Sequence, residues 1–491
     1  MLSNHMFIIL TAVTAALVLG LKFLQYMVRT WNNPTNTIPG PWYSRWSGAI
    51  LVYHWLRGTR SDYVNNLHQN YGSVVRIAPD YVVFSDLPSV KRIHTVKHDF
   101  IKDKWYSELT PGSVSVFTSI DPIHHRERRR LLSAPIDDSS LKTMLPKVDD
   151  RVRQTIGRMA EEMDRRGVTD IFKWWFFMTT DVIGELSFGE SFRILDQGKK
   201  NQYISDLEVV GKTGSIITTF PLLAQLSRAG VPIPLIQTAT SSRHRLLQYA
   251  EQSIQRYKKQ LLADPHNYPR TLFTRFFDRA DSEGLPDLEI RNEAMAYIVA
   301  GSDTTSNTLT YLVWSVCRDK SIQRTLVQEL QGLPEDFTDL DLRDLKYLNH
   351  VINETLRLYP AAPSLLPRVV PPEGETLAGY WIPGGTKVAT QAWTLHRLPE
   401  VFPDPMSFNP LRWEHPSQAM KDAFMPFGGG SRVCLGVHLA KIELRLGAAR
   451  FFRTFPDAKV SVREGMSDKD MDTLQYFLLK PVGARCLLEL Y

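Results

Sequence analysis

The residues best suited to chemistry lie at 427–436, where Phe-Gly-Gly-Gly-Ser-Arg-Val-Cys-Leu-Gly sets one cysteine, Cys434, between a glycine-rich turn and a helical pattern. Glycines at 428, 429 and 430 allow positive φ and a close approach of backbone to a flat ligand. Leu435, Leu439, Ile442, Leu446 and Ala449 then recur at helical spacing. That pattern predicts that Cys434 opens a helix, where backbone N–H groups and the dipole favour thiolate over thiol. A single soft, anionic ligand of this kind suits haem iron. A small buried hydrophobe in a glycine turn is the alternative for a lone cysteine. A phosphate loop is excluded, because Val433 stands where G-x-G-x-x-G, counted from Gly428, needs its third glycine.

Three further clusters carry polar side chains at helical spacing. His125 and Arg129 are four apart within Asp-Pro-Ile-His-His-Arg-Glu-Arg-Arg-Arg at 121–130, so on a helix they share a face and can meet one anionic group. A solvated basic face is the alternative. Ala300, Gly301, Ser302, Asp303, Thr304 and Thr305 interrupt a helix-length pattern over 286–318 with residues that are poor in mid-helix, for which a local kink is the ordinary explanation. Glu354 and Arg357 are i, i+3 neighbours, a pair worth only ~0.2–0.5 kcal/mol when exposed.

Phe427, Gly430, Arg432, Cys434 and Gly436 match F-x-x-G-x-R-x-C-x-G, and the chain resembles the cytochrome P-450 superfamily of haem-thiolate monooxygenases, most of all its fungal microsomal members. The resemblance covers nearly the whole chain after its first 41 residues. It implies the cytochrome P-450 fold, mainly α with a minor β-sheet, and haem b (iron protoporphyrin IX) with Cys434 as axial thiolate and sole protein ligand to the metal. It further implies that Phe427, Gly430, Arg432 and Gly436 shape the cofactor loop, and that His125, Arg129, Arg368 and Arg432 meet the haem propionates. By the same resemblance Ala300 and Thr304 face dioxygen while Asp303 relays protons. Glu354 and Arg357 would join Arg412, from a meander at 405–413, in a structural network that holds the ligand loop. Two electrons and two protons would then place one atom of O2 into a C–H bond or across a double bond. No flavin or iron–sulfur module is found, so electrons are expected from a separate NADPH-dependent diflavin reductase. Arg126, Arg128, Lys441 and Arg445 are expected to form one basic patch that steers it.

The elements that must position these residues come from the rest of the chain. Its 491 residues, 43% hydrophobic with 11 tryptophans, carry no long linker after about residue 42, which predicts one large domain over 42–491. Three scattered cysteines exclude a disulfide framework and fit a reducing compartment. A net charge of +6 suits an acidic partner or an anionic membrane surface, and nucleic acid is disfavoured because no basic run is interleaved with aromatics. Residues 6–21 carry no charge, so 1–29 read as a transmembrane helical anchor, followed at 30–41 by a hinge with Pro34, Pro39 and Pro41. Lys22 and Arg29 follow the apolar stretch, which by the positive-inside rule turns the domain to the cytosol. The family then implies a single-pass monomer of the endoplasmic reticulum membrane. A helix ending at Gly72, a hairpin over 74–84, long helices over 140–360, and strands near 387–390 and 476–479 complete the expectation.

By family position, residues 105–117, an apolar roof at 216–223, Tyr297, Ala300, 361–366 and 476–477 would line the substrate pocket. They are mainly apolar or aromatic, which implies a lipophilic small molecule, and the fungal resemblance points to secondary-metabolite biosynthesis. A haem-thiolate isomerase or dehydratase, a nitric-oxide reductase of the same fold and a non-enzymatic haem sensor are the rivals.

Overall fold

The computed structural model of the protein describes residues 2–96, 100–110, 113–264, 270–274 and 285–490. It opens with α1 (Leu2–Trp31), a helix of 30 residues. Among the described residues no helix is long and apolar enough to cross a membrane, so the expected transmembrane helix is not found there. The side chains of residues 2–12, 15 and 16, which include much of the stretch behind that expectation, lie outside the described set. The segment after α1 is bolted to the sheet. Arg76, only 1% exposed, donates from Nη1 to the carbonyls of Thr35 (3.0 Å) and Ile38 (3.2 Å) and from Nε to Ser44 Oγ (3.1 Å). Its backbone N–H also bonds the Pro39 carbonyl at 2.8 Å. Gly40 is required there, because a Cβ would stand 2.4 Å from the Arg76 carbonyl oxygen.

Two helices, α2 (Ala49–Arg57) and α3 (Arg60–Tyr71), precede the sheet, and α3 stops at Gly72 as expected. The hairpin β1 (Val74–Ala78) and β2 (Tyr81–Phe84) continues through β5 (Lys387–Ala389), β4 (Arg368–Val369) and β3 (Ile101–Lys102), giving the order β1-β2-β5-β4-β3. β2 and β5 are parallel and the other pairs antiparallel. β1 is buried on both faces, which explains its nearly unbroken apolar run. Two register pairs matter below: Arg368 opposite Val388, and Lys102 opposite Arg368.

The helical part comprises α4 (Pro122–Ser133), α5 (Leu145–Arg166), α6 (Ile171–Phe188), α7 (Gln202–Thr219), α8 (Pro221–Arg228), α9 (Pro234–Ala263), α10 (Asp287–Arg318), α11 (Lys346–Leu358) and α12 (Val437–Thr454). α10 is the axis of the fold, packed against α6, α9, α11 and α12. Small residues permit this. A Cβ on Gly301 would lie 2.9 Å from Ile183 of α6, and one on Gly447 of α12 would lie 2.8 Å from Leu309. Trp175, Phe177, Phe451 and Phe452 fill the space between these helices, each contributing roughly 1.5–3 kcal/mol on burial. No break appears within α10. Instead, Thr304, Ser306, Thr308 and Thr310 each donate a hydroxyl to the carbonyl four residues back, at 2.7–2.9 Å, while Thr179 of α6 donates to the Ser302 carbonyl at 2.7 Å. Most of the run of hydroxyls is thus satisfied within the helix, while the buried Ser302 hydroxyl has no hydrogen-bond partner among the described residues.

The strand expected near 476–479 is displaced. The pairing is β6 (Thr473–Gln475) with β7 (Leu479–Pro481), with Gln475 opposite Leu479, so 476–478 form the turn. Tyr476 and Phe477 belong instead to an aromatic cluster described next.

Candidate active site

The glycine-rich loop folds back on itself. Gly428 (φ 72°) and Gly430 (φ 62°) take the left-handed conformation and Gly429 does not. Gly430 has a second reason to be glycine, since a Cβ would stand 1.7 Å from the His94 carbonyl oxygen. A short 3-10 turn, Gly430–Arg432, leads to Cys434, whose N–H bonds the Phe427 carbonyl at 2.9 Å and closes the loop. α12 begins at Val437 with Gly436 as N-cap, so Cys434 precedes the first turn rather than opening it. Burial therefore dominates its acidity and pushes the thiol above its ordinary value, although the Gly436 N–H and the Arg129 charge pull the other way. Cys434 nevertheless keeps accessible surface. A side chain that is both desolvated and accessible faces an enclosed space.

A buried ionic network supports this loop from behind. Glu354 and Arg357 on α11 are both fully buried and bonded twice, at 2.8 and 2.9 Å. Arg412 Nε (2.9 Å), Trp413 Nε1 (3.0 Å) and the Asn409 N–H (2.9 Å) also donate to Glu354. Arg357 further donates to the carbonyls of His396, Pro405 and Ser407 at 2.7–3.0 Å. The expected three-residue network is present, and His396 extends it. Its Nδ1 lies 2.9 Å from the Arg357 carbonyl and its Nε2 accepts the Met425 N–H at 2.9 Å, two residues before Phe427. Burial holds His396 neutral, with its pKa near 3, so one nitrogen can accept while the other donates.

Four cations converge beside the loop. Lys102 and Arg368 oppose each other on β3 and β4. Arg432 donates to the Ser119 carbonyl (2.9 Å), and Arg129 of α4 donates to the Val433 carbonyl (2.7 Å), next to Cys434. Arg129 thereby touches the ligand loop itself. His125 is buried one turn before it on α4. Among the described residues none of the four cations has a carboxylate ion-pair partner, and Arg368 Nε is buried without any hydrogen-bond partner. Burial and the mutual repulsion with Arg368, Arg432 and Arg129 push the Lys102 ammonium well below its ordinary pKa, and Arg432 is lowered to about 10 by burial and Arg368. Stacked positive charge with an orphaned donor fits a polyanionic group such as the carboxylates of haem. The soft sulfur, the closed glycine loop and this cationic socket form a coherent donor set for an iron porphyrin. Lys102 carried no sequence signal, because its neighbour Arg368 is 266 positions away and only the sheet joins them.

On α10, Val299 (38% exposed) and Ala300 are exposed, between the buried Ile298 and the buried Ser302 two positions on. Thr304 Oγ1 donates to the Ala300 carbonyl at 2.7 Å. Burial raises the Asp303 carboxyl to about 6, with Lys480 opposing the shift and Glu208 reinforcing it. Behind this segment a buried Glu443 of α12 bonds Thr305. Of the expected pocket residues, the fold gathers Trp105, Tyr106, Phe117 and Phe477 at ring separations of 5.1–5.8 Å, with Tyr476 joined through Trp55. Tyr297 packs instead on Phe273, and residues 111–112 lie outside the described set. Phe220 and Leu222 of the roof are exposed. The basic patch is only half present. Arg126 and Lys441 are exposed, but Arg445 lies on the buried side of α12 and donates to Asp339 at 2.7 Å, while Arg128 pairs with Glu289 at 2.7 Å.

Comparison with known proteins agrees with this geometry. The cytochrome P-450 family model matches residues 39–488. The chain is 47% identical over 469 residues to the cytochrome P-450 monooxygenase tazI of Aspergillus terreus, covering 95% of this chain and 96% of the relative. It is 44% identical over 477 residues to a cytochrome P-450 monooxygenase of Aspergillus niger, covering 97% of each. It is 34% identical over 484 residues to the monooxygenase aflV of Aspergillus parasiticus, covering 96% and 94%. A cysteine set on a closed glycine loop, a socket of cations without a carboxylate among the described residues and this breadth of similarity together make the chain a member of the cytochrome P-450 family, a haem-thiolate monooxygenase.

Proposed function

We propose that the protein oxidises a lipophilic small molecule of fungal secondary metabolism, with haem b held by Cys434 and by the cations Lys102, Arg129, Arg368 and Arg432 around its propionates. The observation that carries this reading is the cationic socket, without a carboxylate partner among the described residues, beside an accessible, desolvated thiol. When bound, the haem supplies activation of O2 and an oxidant strong enough for a C–H bond or a double bond. Phe427, Gly430 and Gly436 shape the loop, and His125, buried one turn before Arg129, would join the cations at a propionate. The Glu354, Arg357 and Arg412 network acts through His396 to hold Met425 and the start of the loop. Ala300 leaves room beside Thr304, whose hydroxyl bonds only the Ala300 carbonyl of its own helix and could turn to donate into that space. Asp303, poised near 6 by burial, passes protons inward. The aromatic cluster around Phe117 and Phe477 excludes water and receives the substrate.

Electrons would come from an NADPH-dependent diflavin reductase docking near Arg126 and Lys441. The chain would act as a monomer held to the endoplasmic reticulum membrane, domain toward the cytosol, by the uncharged stretch in α1 and the exposed apolar roof. Deleting residues 1–29 should release part of the protein from membranes with haem retained; unchanged membrane retention would remove the anchor from this reading. The central test is Cys434→Ser. It should abolish the strongly red-shifted Soret band of the ferrous carbon-monoxide complex, while Cys317→Ser and Cys486→Ser leave it intact. An unchanged band in Cys434→Ser would overturn the assignment. Measuring O2 and NADPH consumption with the reductase then separates oxygenation from a redox-neutral isomerisation.

A further inference from the structure

Phe117 belongs to the aromatic cluster that the proposed function assigns to the substrate, and its direction is fixed from two sides. It is 39% exposed yet packed at 5.5 Å on Phe477 and 5.6 Å on Tyr106. Its segment is held at consecutive residues from two directions. The Val116 N–H donates to Glu293 Oε1 of α10 at 2.6 Å. The Phe117 carbonyl accepts from Lys102 Nζ of β3, and the same ammonium lies 4.5 Å from the Phe117 ring centre. Within the segment, the Ser115 N–H bonds Thr118 Oγ1 at 2.9 Å, so the four residues turn as one unit.

Both fastenings are buried. Glu293 is 3% exposed and its Oε2 has no hydrogen-bond partner. Lys102 is 6% exposed without a carboxylate partner among the described residues. A buried carboxyl loses free energy on desolvation that one hydrogen bond does not recover, and the Lys102 ammonium, whose charge an anion in the socket would balance, commits a further hydrogen bond to the Phe117 carbonyl. Simple packing of this segment would be served better by an apolar residue at 293. What the two groups accomplish is positional. Fixing the N–H of residue 116 and the carbonyl of residue 117 constrains the backbone on both sides of the Phe117 Cα, and hence the direction of its Cβ.

We propose that Glu293 and Lys102 form a two-point clip that fixes Phe117 as a rigid wall of the substrate cavity, making them positioning residues for the size and shape of ligand accepted. The inference rests on the monooxygenase reading only for what fills the cavity.

The test uses the haem-containing protein, with imidazole and 4-phenylimidazole as probes of small and large bulk, followed by the Soret shift. Amide hydrogen exchange over residues 113–120 is measured in parallel. Glu293→Ala and Lys102→Met should each raise exchange in this segment roughly tenfold, the loss of one buried hydrogen bond, and change the ratio of the two dissociation constants by a similar factor. Glu293→Gln keeps an acceptor and should match the unmodified protein in both readouts. Should Glu293→Ala fail to accumulate as haem protein, Val116→Pro removes the N–H from the other side and is measured identically. Unchanged exchange in either pin variant, or equal disruption by Glu293→Gln, would overturn the clip. Absence of any Soret shift with imidazole in the unmodified protein would instead count against the haem reading, leaving the clip to be judged on exchange alone.

Discussion

Lys102 and Arg368 stand directly opposite each other on antiparallel neighbouring strands, an arrangement in which like charges repel. Neither is relieved by a carboxylate among the described residues, and the Arg368 Nε is orphaned. The pair is unfavourable until an anion arrives. Lys102→Met or Arg368→Leu should therefore lower haem affinity, roughly tenfold or more for a lost charge-assisted contact, as read from the rate of haem transfer to an acceptor protein. The haem-free form should become more stable to heat in the same variants. A haem-free form made less stable by both would contradict a repulsive pair.

Thr304→Ala should keep haem and ligand binding but divert reducing equivalents to peroxide. In the resting fold the hydroxyl bonds only its own helix, at the Ala300 carbonyl, so its removal leaves no buried partner stranded. Product formation should fall roughly a hundredfold, the lower end of the range for a positioned proton-transfer group, with NADPH consumption sustained. Thr304→Ser should restore coupling. Coupling equal to the unmodified protein in Thr304→Ala would remove the hydroxyl from the oxygen-handling group.

Asp303 links pH to stability. Its folded pKa, about 6, lies above the ordinary value of 3.8 because burial disfavours the carboxylate. The native state thus holds the proton more tightly than the unfolded chain. Its favourable contribution is complete below about pH 3.8 and is lost as pH rises through about 6. Asp303→Asn should accordingly raise Tm at pH 7.5, by the equivalent of roughly 1–3 kcal/mol, with the gain shrinking toward pH 4. Turnover should slow and its solvent isotope effect grow. A Tm gain independent of pH would disprove the titration argument, and an unaltered isotope effect would take Asp303 off the proton path.

Glu354→Gln leaves Arg357 and Arg412 positive in the interior, where Glu354 and Arg357 have no exposed surface. Removing one member of such a buried set typically costs about 3–5 kcal/mol. The variant should lose most of its haem and unfold at lower temperature. His396→Ala should cost less but shift the Soret band, since it cuts the connection to Met425 while sparing the ion pairs. Wild-type thermal stability in Glu354→Gln would refute the network as the support of the loop.

The ligand loop, the helix of 286–318 and the hairpin of 74–84 were legible because each depends on local chemistry: glycines with positive φ, apolar residues at a 3.6 or 2 period, and a turn between two apolar runs. The Glu354 and Arg357 pair was visible as a spacing on one helix face. Arg445 was misjudged for the same reason. Its spacing from Lys441 was correct, but which side of α12 faces the core depends on Asp339, some hundred residues earlier. Cys434 was expected to gain thiolate character from a helix start, yet desolvation by surrounding elements outweighs the dipole. By itself, then, the sequence determined the cysteine of the glycine-rich loop, the helical character of the chain and the family. Only the tertiary structure decided which charges are buried without partners, that Lys102 joins Arg368, Arg432 and Arg129, and that Glu293 reaches Val116. Those relationships join residues up to some 330 positions apart, and no local periodicity records a contact whose energy comes from excluding water between distant strands and helices.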